Sequence, residues 1–339
     1  MSTLTKEKII VALQKLSIFL KNPSQSFEHI IKNAQNNNGW FIETEVKKAT
    51  SSLNQMLNET DLHTWLADVT LAETPKKIGL ILAGNIPLVG FHDVLCVLAT
   101  GNIALIKMSS SDDKLLPALL NELIAIEPLF ADHIIYVERL KDFDAIIATG
   151  SNNTSRYFEY YFGKKPNIIR KNRNSVAVLS GDETVEEINS LGNDIFDYFG
   201  LGCRNVSKIY VPKGYDLKHL FEPIEVFQPI INHFKYNNNY DYNKSIYLVN
   251  GVKHFDNGFL LVKQDESFVS PLAVLFYQEY ENVEEIEQIL NQQTEQIQCV
   301  VSKLSINIGK DIIGFGCSQH PKLWDYADNV NTIKFLQSL

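Results

Sequence analysis

Cysteine is scarce in this chain of 339 residues: Cys96, Cys203, Cys299 and Cys317 lie far apart and form no CxxC pair or Cys/His cluster. Neither a zinc site nor a disulfide framework is indicated, so no metal is expected, and a reducing cytoplasm is the simplest setting. Clustered basic residues are missing too. The 31 Lys and Arg against 40 Asp and Glu give a net charge of -9. Phosphate recognition along a polymer or a lipid surface needs a basic face, which argues against nucleic acid or anionic membrane as the main partner. An uninterrupted apolar run long enough for a membrane span is also lacking, because Gly84, Asn85, Pro87, Gly90, His92, Asp93 and Asn102 break up residues 78–106. Polar groups of that kind are costly in lipid. The amino-terminal segment has no small-residue cleavage site, and Ile9, Ile10, Leu13, Leu16 and Leu20 at helical spacing read as an amphipathic docking helix.

What is present is an ordinary globular composition, 45% hydrophobic and 21% charged, with length for two core-forming units. Residues 1 to about 70 read as mostly helical, with a polar turn at 32–39. From Pro75 the pattern becomes strand and helix in alternation: a buried strand at 77–83, a tight turn at 84–86, a helix at 87–100 and a second buried strand at 102–108, which is a βαβ unit. A helix at 114–127, short strands at 133–137 and 144–149, and a Thr149-Gly150-Ser151 turn follow. A strand running through Gly-Ser into a helix can present backbone N–H groups to a phosphate, although a plain βα turn reads the same way.

The aromatic run 157–162 is expected to pack into the core, with the lining of an acyl channel as the alternative, and the polar tract 236–244 to be a surface loop. Strands at 175–179, 259–262, 272–277 and 299–301, with a helix at 282–292, repeat the alternation in the second half, so two sheets are expected rather than one.

The chemistry centres on Cys203. Asp182 is expected to cap a helix with Val185, Ile188, Leu191, Ile195 and Phe199 on one face, and Gly200 and Gly202 to stop it. Val206, Ile209 and Val211 then begin a strand closed by Pro212, leaving Cys203 in a glycine-flanked loop. A lone cysteine is usually a small buried hydrophobe. Here the glycines allow close approach, and Arg204 beside the thiol favours the nucleophilic thiolate. His92 and Asp93 are adjacent on one helix and point to different faces, so they are read as structural, as is His320.

Taken in order, these segments resemble the aldehyde dehydrogenase superfamily, and within it the LuxC-like fatty acyl-CoA reductases associated with bacterial luciferase, from about Pro75 to the C-terminus. Gly84-Asn85-Ile86-Pro87 resembles the turn whose asparagine helps form the oxyanion hole. Residues 98–107, ending in Lys107, resemble the GN turn and the strand whose lysine contacts the adenosine ribose. Thr149-Gly150-Ser151 resembles the nucleotide-phosphate turn, and Gly202-Cys203 with Ser207-Lys208 the nucleophile segment. Gly314-Phe315-Gly316 and residues 326–335 resemble the closing turn and final strand.

The resemblance implies an aldehyde-dehydrogenase-like α/β fold, with two Rossmann-like three-layer α/β/α domains and an N-terminal helical segment. Residues 1–174 would carry the helices and the nucleotide-binding domain, 175–318 the catalytic domain with Cys203, and 319–339 a C-terminal return. It further implies Cys203 and Asn85 as catalytic residues, and Lys107, Ser109, Gly150, Ser151 and Glu266 as cofactor contacts. An acyl-CoA substrate, an acyl-protein synthetase partner and a homo-oligomer, taken as a dimer, follow from the same likeness.

Departures from the family pattern refine this. Relatives that hydrolyse their thioester carry a carboxylate in an ELGG-like turn, whereas residues 168–174 (IIRKNRN) are basic and contain none. Thiol exchange needs no water-activating base, so reduction of an acyl thioester fits better than oxidation of an aldehyde. Ser110 stands where NAD-preferring relatives often have glutamate, so repulsion of a 2′-phosphate is absent and NADPH fits, with NADH as the alternative. Glu266, in the segment that replaces EIFGP, is one place out of register. The competing readings are an oxidative aldehyde dehydrogenase, with its base supplied from elsewhere, and a catalytically silent paralogue that binds acyl groups or a partner.

Overall fold

Thr5 accepts a hydrogen bond from the Lys8 amide and so caps α1 (Lys6–Lys21), the first element of the computed structural model, which describes residues 4–339. Ser24 and Asn58 cap α2 (Gln25–Asn33) and, beyond α3 (Glu43–Met56), α4 (Glu59–Leu66) in the same way. Each cap satisfies an amide that the first turn leaves without an intrahelical partner. The chain continues through β1 (Lys77–Ile81), α5 (Phe91–Ala99), β2 (Ile103–Lys107), α6 (Leu115–Ile126), β3 (Ile134–Tyr136), β4 (Ala145–Thr149), α7 (Asn152–Phe162) and β5 (Asn167–Arg170). The helix expected from residue 87 begins at Phe91, because residues 85–90 form an extended turn with Leu88 at φ 60°.

These elements, with residues His320–Leu339, make one unit. Its five parallel strands run in the order β3-β2-β1-β4-β5. Alternation sorts the side chains: Ile78, Leu80, Ala104, Ile106, Ala145 and Ile147 join the core formed with Leu13, Leu16, Leu62 and the apolar residues of α5 and α6. Each fully buried Ile or Leu among them contributes about 1.5–3 kcal/mol relative to exposure. Leu105, Ile146 and Ala148 face the other way, against Phe158 and Phe162 of α7. The aromatic run is therefore only partly core: its two phenylalanines, four residues apart, face the sheet, whereas Tyr157, Tyr160 and Tyr161 are exposed.

Arg173–Gln319 form the second unit. It contains β6 (Asn174–Val178), α8 (Val185–Phe196), β7 (Val206–Pro212), α9 (Lys218–Ile224), α10 (Phe234–Val249), β8 (Phe255–Asp256), β9 (Leu261–Gln264), β10 (Val274–Tyr280), α11 (Val283–Gln292), β11 (Ile297–Val301) and β12 (Ile312–Ile313). The sheet order is β12-β11-β6-β7-β10-β9-β8, parallel except for the β8–β9 pair. Ala177, Ile209 and Val211 pack with Ile188, Leu191 and Leu220, while Val176, Val178 and Tyr210 pack with Ile286 and Leu290. Both faces are thus covered by helices, as a parallel sheet requires. The α/β architecture with two sheets is as the sequence implies.

Three local expectations are corrected. Thr184, not Asp182, caps α8, through a capping box with Glu187; Asp182 bonds to Ser180 and Lys303 instead. The tract 236–244 is part of α10, because Tyr236, Tyr240, Asn243 and Tyr247 at helical spacing are buried. The tyrosines bury rings and keep their hydroxyls bonded, Tyr236 to the Phe259 carbonyl and Tyr240 to Asp256. The expected final strand is a short helix, α12 (Thr332–Gln337), capped by Asn331.

The basic stretch 168–174 also acquires a structural role. Arg170 is buried and donates to the Asp93 carboxylate at 2.6 Å, to Thr332 Oγ1 at 3.2 Å and to the Ala327 carbonyl. Both partners of this ion pair are shielded from water, so removing one charge strands the other. Asp93→Ala is expected to lower stability by about 3–5 kcal/mol in urea unfolding, and Asp93→Leu combined with Arg170→Met to recover most of that loss.

Candidate active site

Three adjacent parallel strands of the first unit end on one edge, and their following turns carry the residues that the sequence picks out. Beyond β1 come Gly84 and the exposed Asn85, at the end of β2 the exposed Lys107 and just beyond it half-buried Ser109, and beyond β4 Gly150 and Ser151. The chain runs outward from β1 to β2 and β3, then returns to place β4 on the other side of β1. Such a reversal opens a crevice at the carboxyl ends of the strands.

Packing explains both glycines. A Cβ on Gly84 would lie 2.4 Å from Ser109 Oγ, and one on Gly150 would lie 2.9 Å from a Phe158 ring carbon. Ser151 caps α7 by accepting from the Thr154 amide. Buried Asp112 steadies the Asn85 turn, since its carboxylate accepts from the Leu88 amide at 2.8 Å and from the Leu116 amide at 3.4 Å. Burial pushes the Asp112 carboxyl above its ordinary range, against the pull of those amides.

In the second unit, α8 ends at Phe196, and Tyr198, Phe199 and Gly200 follow at φ 52°, 59° and 77°. Left-handed backbone costs a non-glycine residue roughly 1–2 kcal/mol, so this kink must be held from outside. Asn205 holds it: its side-chain amide donates to the carbonyls of Asp194 at 3.1 Å and Asp197 at 2.8 Å, while its Oδ1 accepts from the Gly202 amide at 2.8 Å. Cys203 sits exposed in the resulting turn, which the Asn205 amide closes onto the Gly202 carbonyl at 3.0 Å.

Ser175 fixes the Cys203 carbonyl at 3.0 Å, and Cys299 Sγ lies 2.9 Å from the same hydroxyl. Burial pushes the Cys299 thiol up, and that of Cys96 well up. Only Cys203 and Cys317 are exposed thiols. The Arg204 guanidinium reaches the Ser318 carbonyl at 3.3 Å.

Asp194 links this turn to the Gly314-Phe315-Gly316 segment. Its carboxylate accepts from the Gly316 amide at 2.7 Å and the Ser318 amide at 2.9 Å, and burial raises its pKa to about 6. Glu266 is exposed in the connection between β9 and β10, and its carbonyl accepts from Lys208 Nζ at 2.8 Å. Lys208 itself is fully buried, and burial lowers its pKa to about 8.

The structure therefore brings Asn85, Lys107, Ser109, Gly150 and Ser151 to one edge of the first unit, and places Cys203 and Glu266 in the second. Sequence reasoning missed Asn205, Asp194 and Ser175. Asn205 alone gave a readable cue, as a turn-forming Asn two residues past a glycine-flanked cysteine. His92, as expected, is structural: Nε2 lies 2.9 Å from the Leu323 carbonyl, and Asp93 belongs to the Arg170 pair. Among the described residues there is no cluster of three or more His, Cys, Asp or Glu side chains able to hold a metal ion, and no helix long and apolar enough to cross a membrane.

Comparison with known families finds a match of residues 43–222 to the acyl-CoA reductase (LuxC) family, which is more than half of the chain. No curated protein matches the sequence. Among solved structures, aldehyde dehydrogenase 21 of Physcomitrella patens in complex with the reaction product succinate superposes with a TM-score of 0.67 at 15% identity, over 99% of this chain and 84% of that one. The indole-3-acetaldehyde dehydrogenase AldA of P. syringae, in complex with NAD+ and IAA, gives 0.64 at 13% identity, over 88% and 72%. An NADP-dependent enzyme of E. coli gives 0.63 at 13%, over 92% and 78%. The fold is accordingly aldehyde-dehydrogenase-like.

Two predictions follow from the cysteine loop. Asn205→Ala removes the donor shared by the Asp194 and Asp197 carbonyls and the acceptor of the Gly202 amide, and is expected to cost about 1–3 kcal/mol in urea unfolding, with faster amide exchange over residues 197–204. The folded pKa of Asp194, about 6, lies above its ordinary 3.8. The folded state thus holds this proton more tightly; the cost of the buried charge is full above pH 6 and is relieved as the pH falls toward 4. Wild-type stability relative to Asp194→Asn is expected to drop by about 1.4 kcal/mol per unit as pH rises from about 4 to about 6, read from unfolding midpoints.

Proposed function

The chain belongs to the acyl-CoA reductase (LuxC) family, and on that premise we propose that it reduces a long-chain acyl-CoA to the aldehyde with NADPH, through a thioacyl intermediate on Cys203. The observation that carries this reading is the exposed Cys203 thiol on a turn fixed from three sides by Asn205, Ser175 and the strained end of α8. A nucleophile needs both access and a defined direction of attack.

The Cys203 thiolate attacks the thioester carbonyl, the carbon–sulfur bond to coenzyme A breaks, and coenzyme A leaves as a thiolate that takes up a proton. The backbone N–H of Cys203 and, by the family likeness, the Asn85 side chain stabilise the developing oxyanion. The edge formed by the turns after β1, β2 and β4 suits a dinucleotide, because it lies at the carboxyl ends of parallel strands where the strand order reverses, with exposed Lys107 and half-buried Ser109 at the end of β2. A nicotinamide cofactor, when bound, would supply the hydride for reduction of the Cys203 thioester to a thiohemiacetal. Collapse of that adduct releases the aldehyde and restores the thiol. The balance is one acyl-CoA, one NADPH and one proton consumed for one aldehyde, one coenzyme A and one NADP+.

Ser110 is exposed and uncharged beside Ser109, so nothing at that residue repels a 2′-phosphate. Arg170 supports reduction over oxidation, since it fills the basic 168–174 stretch with a buried cation paired to Asp93, and a water-activating carboxylate is lacking in that stretch. A dimer and an acyl-protein synthetase as donor partner belong to the same proposal.

Purified protein with NADPH and a long-chain acyl-CoA is expected to oxidise the cofactor and form aldehyde, and Cys203→Ser to abolish both. Acid formed from free aldehyde with NAD(P)+ would mark the oxidative reading. Absence of turnover with every acyl-CoA and either cofactor would mark the silent acyl- or partner-binding one.

A further inference from the structure

Parallel neighbours β9 and β10 must be joined by a crossover, and such connections usually contain a helix. Here residues 265–273 make the crossing without one. A segment of this kind has few backbone hydrogen bonds of its own, so its path depends on what grips it. Part of the grip comes from α10, where Asn243 donates to the Leu272 carbonyl at 2.9 Å, and the part nearest Glu266 comes from β7, whose residues follow the Cys203 turn. Lys208 Nζ donates to the Glu266 carbonyl and to Gln278 Oε1, each at 2.8 Å, and Ser207 Oγ donates to the Phe268 carbonyl at 2.8 Å. The ammonium also lies 4.9 Å from the Tyr210 ring centroid and 5.2 Å from that of Phe268. At its far end the crossover reaches the cysteine loop, where Leu272 packs 3.6 Å from the position a Cβ would take on Gly200.

We propose that Lys208 is a positioning residue, which fixes the 265–273 crossover against the Cys203 strand so that the segment from Glu266 to Leu272 and the thiol turn are held as one body. The chemistry of the site argues against mere filling. Lys208 is fully buried, and its two hydrogen-bond acceptors are neutral. A hydrocarbon chain of the same length would occupy that space without the cost of desolvating a charge. What the ammonium offers beyond bulk is directed donors toward a main-chain carbonyl and an amide from two different parts of the chain.

This inference deepens the proposed reaction and rests on it for its catalytic meaning, although its structural part can be tested separately. The variants are Lys208→Met, which keeps length and removes charge, and Lys208→Arg, which keeps donors. In Lys208→Met, amide-exchange protection over 265–272 is expected to fall at least tenfold while the thermal midpoint stays level or rises. Acyl-CoA reductase turnover should fall at least tenfold, and Lys208→Arg should restore much of both. Should Lys208→Met not fold, Lys208→Gln carries the same exchange measurement. Protection unchanged within twofold in the folded variant would overturn the inference. If the wild-type protein shows no turnover, the proposed reaction falls, and the exchange measurement still decides whether Lys208 holds the crossover.

Discussion

The side-chain amide of Asn205 donates to the carbonyls of Asp194 and Asp197, one in the last turn of α8 and one just beyond it. Those bonds hold Tyr198 and Phe199 in left-handed backbone, and the kink presents Cys203 on the outside of the loop rather than in the core. Ser175 secures the same turn from the β6 side, and Asp194, whose carbonyl Asn205 grips, uses its carboxylate to hold Gly316 and Ser318. One amide thus coordinates the helix end, the thiol turn and the closing segment. Replacing it affects all three, because a buried polar group that loses its partner is expensive wherever it lies.

The same device recurs in the first unit with a carboxylate in place of the amide. Asp112 collects the amides of Leu88 and Leu116 and so fixes the turn that carries Asn85. In both units a buried polar side chain from a neighbouring segment sets the path of an irregular loop, and the loop displays exposed chemistry. Secondary structure alone could not do this, since loops lack the repeating bonds that define helices and strands.

The strands at 77–81 and 103–107 were legible as short apolar runs, and the helix at 283–292 because Val283, Ile286 and Leu290 recur at three- and four-residue spacing. The loop position of Cys203, between a helix and a strand, was legible from its glycine flanks. What escaped was long-range or chemically ambiguous. Asn243 and the tyrosines of α10 look polar in composition yet bury their helical face. Asp182 and Thr184 compete for one cap, and only Thr184 forms the reciprocal bond with Glu187. Arg170 and Ser175 read as parts of a basic loop and a strand because their partners, at Asp93, Thr332 and Cys299, lie from 77 to 162 residues away. No local pattern encodes such pairings.

The return of residues 320–339 to the first unit has a consequence for synthesis. Arg170 bonds to the carbonyl of Ala327, which lies 157 residues further along the chain. At ribosomal speeds of about 5–20 residues per second, that acceptor emerges roughly 8–30 s after the arginine. The Asp93 carboxylate, made earlier, is the charged acceptor that Arg170 can meet first. The Ala327 carbonyl and the Thr332 hydroxyl complete the site only once residues 320–339 have joined the first unit.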